Sequence, residues 1–188
     1  KGKSLYDPET LAVIADVQYA DQPTAGRREY RRSIEKLRRC AELLKTEHPR
    51  FLVQLGDLVD GGAANLERIA PEFDRLPARK RHVLGNHDDI ERGALLRRLK
   101  LARAYYDFAH AGWRFAVLDG MDVNKSSAAG REMLATLRAR KAVNAQEWNG
   151  AIGAPQTAWL EGVLRKAERA GERVIAFCHF PILAEACR

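Results

Sequence analysis

The sequence predicts an α/β fold with a largely parallel sheet. Two observations carry that expectation: short apolar runs that stop abruptly at polar residues, and helical stretches lying between them. Leu11-Ala12-Val13-Ile14-Ala15 ends at Asp16, and Phe51-Leu52-Val53-Gln54-Leu55 ends at Gly56-Asp57. His82-Val83-Leu84 leads into Gly85-Asn86-His87-Asp88, and residues 173–178 stop at His179-Phe180-Pro181. Short runs of this kind suit strands buried on both faces of a sheet. Segments 27–47, 65–76 and 155–170 read as the helices between them. Pro155 suits the first turn of the last one and Gly171 its C-terminal cap.

Residues 113–119 form a further strand, with a partner at 105–108. The turn His110-Ala111-Gly112 makes that pair a hairpin. Over 121–150 the chain turns polar and loses periodicity, which marks an insertion over one face with a short helix at 131–141. No repeat, low-complexity tract or interdomain linker interrupts the chain. With 188 residues, a single domain over 1–188 is expected.

Hydrophobic and charged contents of 46% and 30% suit a soluble globular domain, and no apolar run approaches a membrane span. No apolar h-region follows Lys1-Gly2-Lys3-Ser4, so no signal peptide is expected, and the missing Met suggests a removed N-terminus. A net charge of +7 suits nucleic acid or another polyanion. Its distribution favours solvated helix faces instead. Arg27, Arg28, Arg31, Arg32, Lys36, Arg38 and Arg39 interleave with Ile34, Leu37, Leu43 and Leu44 at helical spacing, without interleaved aromatics. Arg97, Arg98, Lys100 and Arg103 repeat the pattern. Nucleic acid therefore ranks behind a small molecule as partner. Cys40, Cys178 and Cys187 show no metal-finger spacing; the first two read as buried small hydrophobes, and the odd count favours a reducing, cytoplasmic compartment.

The chemistry-bearing residues gather where the strands stop. Asp16 and Gln18 follow the first, Asp57 and Asp60 the second, Asn86 and His87 the third, and His179 a later one. In an open parallel sheet those ends share one side, where ligands bind. Each residue alone has a plainer use: Asp16 in a turn, Gly56-Asp57 and Gly85-Asn86 in left-handed turns, His179 as a satisfied core histidine. Together they place carboxylate, carboxamide and imidazole groups on one rim, a donor mix suited to Mn, Fe or Zn.

In order, Asp16-Val17-Gln18, Gly56-Asp57-Leu58-Val59-Asp60, Gly85-Asn86-His87-Asp88 and the histidine of Cys178-His179-Phe180-Pro181 resemble the calcineurin-like metallophosphoesterase blocks D-x-H, G-D-x-x-D, G-N-H-[DE] and a later lone histidine. Gln18 stands where the family usually has histidine. With Tyr19-Ala20-Asp21, Arg28-Glu29-Tyr30-Arg31-Arg32-Ser33 and Trp148-Asn149-Gly150-Ala151-Ile152-Gly153, then Gln156 and Trp159-Leu160, it resembles the manganese-dependent ADP-ribose/CDP-alcohol diphosphatase branch. The resemblance implies a four-layer α/β/β/α sandwich and hydrolysis of the phosphoanhydride in a small nucleotide.

It further implies two divalent ions about 3.5–4 Å apart, most readily Mn, with Fe, Mg or Zn as alternatives. By that likeness Asp57 bridges them, Asp16 and Gln18 serve the first, and Asn86 and His179 the second. A bridging hydroxide attacks phosphorus, and His87 acts as general acid or transition-state stabiliser. Asp60 orients His87 or a ligand, Asp88 is a second candidate for that task, and Asp21, Arg28 and Tyr30 line the substrate side. The family's later G-H-x-H block does not occur in these residues. A C-terminally truncated second sheet, weak metal retention and low activity are therefore expected. A phosphodiesterase or nuclease on the same scaffold, and a catalytically silent binding module, are the competing readings.

Overall fold

Phe51–Gln54 become the central strand of a parallel sheet, and all four side chains are buried. A computed structural model of the chain describes residues 10–88 and 92–182. In it this strand, β2, lies between β1 (Leu11–Ile14) and β3 (Arg79–His82), both parallel to it. Helices α1 (Ser33–Glu47), α2 (Ala63–Asp74) and α3 (Arg92–Arg98) belong to this half. A second sheet joins the hairpin β4 (Tyr106–His110) and β5 (Trp113–Val117) to β6 (Arg173–Phe177), which runs parallel to β5. Between β5 and β6 come α4 (Ala128–Ala139) and α5 (Ala154–Arg169).

The period-two alternation of strands explains the layers. Leu52 faces the helices, among Leu37, Ala41 and Leu44 of α1 and Leu66, Ile69 and Phe73 of α2. Its neighbours Phe51 and Val53 face the other way and meet Phe115 and Val117 of β5. Phe51 makes edge contacts with Phe108 at 5.3 Å and Phe115 at 5.1 Å, a favoured aromatic geometry that fixes the two sheets face to face. Ala116 and Leu118 then pack on Val163, Trp159 and Leu160 of α5. Three apolar interfaces thus stack four layers in the order α/β/β/α, as expected. No helix among the described residues is long and apolar enough to cross a membrane.

Several boundaries moved. The helix expected from residue 27 begins at Ser33, after a tight turn at Ala25–Arg28 and a 3-10 turn at Tyr30–Arg32. The Ser33 hydroxyl donates to the Val17 carbonyl, pinning that start against the loop after β1. The third strand was read at 82–84, but it starts at Arg79. Its charged residues hid it from an apolar reading; charge on an edge strand discourages pairing with other chains. The run at 173–177 joins the hairpin rather than the first sheet. The insertion helix runs 128–139 rather than 131–141, because the Ser127 side chain caps it by accepting from Gly130 N–H at 3.0 Å. Cys187 lies outside the described residues.

The basic face of α1 is largely ion-paired. Arg32 and Lys36 meet Glu29 at 2.8 and 3.4 Å, and Arg38 meets Glu72 at 2.6 Å. This pairing suits a solvated face rather than a polyanion track.

Candidate metal centre

The β1–β2 ladder continues past the strand ends. Asp16 N–H donates to the Gly56 carbonyl (3.2 Å), Gln18 N–H to that of Asp57 (2.8 Å) and Tyr19 N–H to that of Leu58 (3.3 Å). The extension brings the first two motif loops side by side. Asp16, Gln18 and Asp57 all adopt left-handed backbone, with φ of 53°, 41° and 56°. Such φ values are uncommon outside glycine, and aspartate is among the residues that tolerate them best. The glycines are needed for contact. A Cβ on Gly56, at φ +103°, would lie 2.6 Å from His179 Nδ1, and one on Gly85 would lie 2.1 Å from Asp57 Oδ1.

Asp57 is the hub. One ligand atom each from Asp16, Asp57 and His179 lie within 4.8 Å of one another. Asp57 Oδ2 accepts from Gln18 Nε2 at 3.2 Å and lies 3.5 Å from His179 Nε2, while Oδ1 accepts from His87 N–H at 3.0 Å. Burial raises the Asp57 pKa above the ordinary carboxylate value; His179 and His87 oppose that rise, and the Asp16 charge adds to it. A divalent cation would supply the missing positive charge.

His179 is oriented for such an ion. Its Nδ1 lies 2.8 Å from the Leu55 carbonyl, so Nδ1–H donates there and Nε2, the nitrogen facing Asp57, keeps its lone pair. Gln18 uses its N–H on Asp57, which leaves the amide oxygen as donor. Carboxylate, amide oxygen and imidazole suit a divalent ion of the Mn type. Half-buried Asn86 occupies the turn between Gly85 and His87. His87 Nδ1 lies 3.1 Å from Asp60 Oδ1, leaving its Nε2 free.

The residues expected on the substrate side divide. Arg28 and Tyr30 line a cleft of about 140 Å³ with Asp16 and Gln18, and Tyr30, Asp60 and Asp57 hold the Arg28 pKa above its ordinary value. Exposed Asp21 instead pairs with Arg31 at 2.7 Å, and its N–H donates to Asn65. Ser33 and Lys36, not singled out from sequence, line the same cleft. Also missed was an aromatic pair beside His179. Half-exposed Trp148 has its ring centroid 6.3 Å from that of Phe180, next to an apolar cleft of about 260 Å³ formed by Ile152, Cys178, Phe180 and Ile182. A tryptophan in an otherwise polar insertion was the available signal. Asp88 contacts neither His87's ring nor a candidate ligand's side chain; its carboxylate accepts backbone N–H groups of the two motif loops.

The chain is similar to known proteins over most of its length. Manganese-dependent ADP-ribose/CDP-alcohol diphosphatases of Oryza sativa and Arabidopsis thaliana are each 32% identical over 92% of this chain, covering 66% and 68% of their own lengths. The human protein of that name is 27% identical over 94% of this chain and 67% of its own. The chain thus spans about two thirds of the length of these relatives. A dimetal phosphatase from Danio rerio superposes with a TM-score of 0.79 at 26% identity, over 92% of this chain and 70% of that one. The family model for calcineurin-like phosphoesterases matches residues 9–187, and the chain belongs to that family.

Proposed function

We propose that the chain is the core of a manganese-dependent phosphohydrolase that cleaves the phosphoanhydride of nucleoside diphosphate derivatives of the ADP-ribose or CDP-alcohol type. The observation that carries this reading is Asp57, whose carboxylate faces Gln18 and His179 from one oxygen in a cluster with Asp16. Two divalent ions in such a centre supply an activated water and neutralise developing phosphoryl charge. Asp16 and Gln18 would hold one, Asn86 and His179 the other, and Asp57 both. Gln18 as a neutral oxygen donor favours Mn or Mg over Zn.

The remaining steps belong to the chain's own side chains. Asp60 fixes His87 with Nδ1 engaged, so Nε2 is the atom that gives a proton to the leaving phosphate oxygen. Arg28, which lines the cleft with Tyr30, Asp16 and Gln18, offers its guanidinium to the non-reacting phosphate. Half-exposed Trp148, tilted against Phe180, offers its own ring face to a nucleobase. The test is incubation with Mn and a panel of ADP-ribose, CDP-choline, cyclic nucleotides and single-stranded DNA. Release of AMP or CMP from the first two supports the reading. Cleavage of DNA or cyclic nucleotide without it contradicts the reading and favours a phosphodiesterase.

A further inference from the structure

We propose that Asp88 is the positioning residue of the centre, an internal anion whose buried carboxylate shapes the Asp57 loop for metal. The assignment rests on Asp57 being a ligand. Asp88 is fully buried, with 0% exposure. Its Oδ2 accepts from Asp57 N–H at 2.8 Å and Gly85 N–H at 3.0 Å. Its Oδ1 accepts from Leu58 N–H at 2.9 Å and Val59 N–H at 3.3 Å. Three successive N–H groups, from Asp57 to Val59, converge on it as such groups converge on a bound anion.

The geometry says why this matters to the site. Asp57 has φ 56°, a left-handed conformation sparsely populated outside glycine that persists where its surroundings enforce it. Asp88 enforces it by holding that residue's own N–H and the next two. The same carboxylate reaches Gly85, whose α-carbon packs against Asp57 Oδ1, so one side chain ties the G-D and G-N loops together. Asp88 also closes the turn that carries Asn86 and His87. Asp60 and Asp88 thus divide the work: Asp60 orients the His87 ring, and Asp88 orients the backbone beneath Asp57.

The test compares manganese affinity, read by calorimetry, in wild type, Asp88→Asn and the core truncation Leu52→Ala. Asp88→Asn keeps the side-chain size but turns one acceptor oxygen into an NH2 group facing backbone N–H donors. Affinity is expected to fall about 10–100-fold, as for other groups that orient metal ligands. Leu52→Ala destabilises the core away from these loops and is expected to bind within about twofold of wild type, as distant sites act independently. Wild-type affinity in Asp88→Asn, or an equal loss in Leu52→Ala, overturns the assignment. If Asp88→Asn is not recovered folded, Asp88→Glu, which keeps the charge but lengthens the side chain, is read by the same criterion. Wild-type protein that binds no manganese instead removes the metal-centre reading, and this assignment with it.

Discussion

Two buried carboxylates, Glu72 and Asp88, sit in opposite electrostatic settings. Glu72 lies on α2 and takes the guanidinium of Arg38 at 2.6 and 3.0 Å and that of Arg75 at 2.8 Å. Those cations hold its pKa down to about 2. Among the described residues Asp88 accepts from backbone N–H groups, and burial pushes its pKa up to about 6 although those bonds oppose the rise. The difference separates two kinds of structure. Arg38 and Arg75 are long, exposed and adaptable, so the Glu72 cluster binds helix to helix without fixing a precise shape. The Asp88 carboxylate fixes individual peptide units, which a centre needing exact ligand placement requires.

The comparison breaks most severely at Gly85. In Gly85→Ala the new Cβ would lie 2.1 Å from Asp57 Oδ1, so manganese binding should fall below detection in calorimetry. Gly162 in α5 has nothing within 4 Å of its would-be Cβ. Gly162→Ala should therefore leave binding intact and stabilise by up to about 1 kcal/mol in thermal melts, the ordinary helix preference. Binding retained in Gly85→Ala would contradict the packing argument.

Next comes the proton donor. His87→Ala should lower kcat about 10²–10⁴-fold with manganese affinity unchanged, since the lost group acts on the leaving oxygen. Asp60→Asn should cost less, about 10–100-fold, because it only orients the ring. An equal loss of metal affinity in His87→Ala would make His87 a ligand instead.

The smallest effect is at Glu72. Its folded pKa, about 2, lies below its ordinary 4.5, so the unfolded chain binds the extra proton between those values. The stabilisation is therefore full above about pH 4.5 and is lost as pH falls toward 2. Glu72→Gln should lower the neutral-pH melting temperature by about 2–4 °C, as about 1 kcal/mol does in a chain of this size. The gap between variant and wild type should close on acidification, which melts across that pH range would show. Manganese affinity should not change.

Much of the fold was legible because apolar strand runs stop where motif residues begin. Phe51–Gln54 announced the central strand, and Asp16, Asp57, Asn86 and His179 were readable as candidate ligands at strand ends. β3 was misplaced because its first residues are Arg79, Lys80 and Arg81, whose side chains do not report strand pairing. Arg28 lies in a turn rather than on a helix, because Ser33 starts α1 against Val17. Asp88 was readable only as a second candidate for orienting His87 or a ligand, not as an acceptor for backbone amides. Nothing in an aspartate's sequence context distinguishes an acceptor for backbone amides from a partner for histidine; that depends on the burial and turn geometry of two loops about 30 residues apart.

The central claim is that one carboxylate, Asp57, joins two ions. Manganese titration followed by electron paramagnetic resonance tests it most directly. At saturating manganese, which offsets the weak retention expected of these residues, wild-type protein should take two ions per chain with an exchange-coupled signal, and Asp57→Asn should lose the coupling. A single uncoupled ion in wild type, or a coupled pair that survives in Asp57→Asn, would contradict the account.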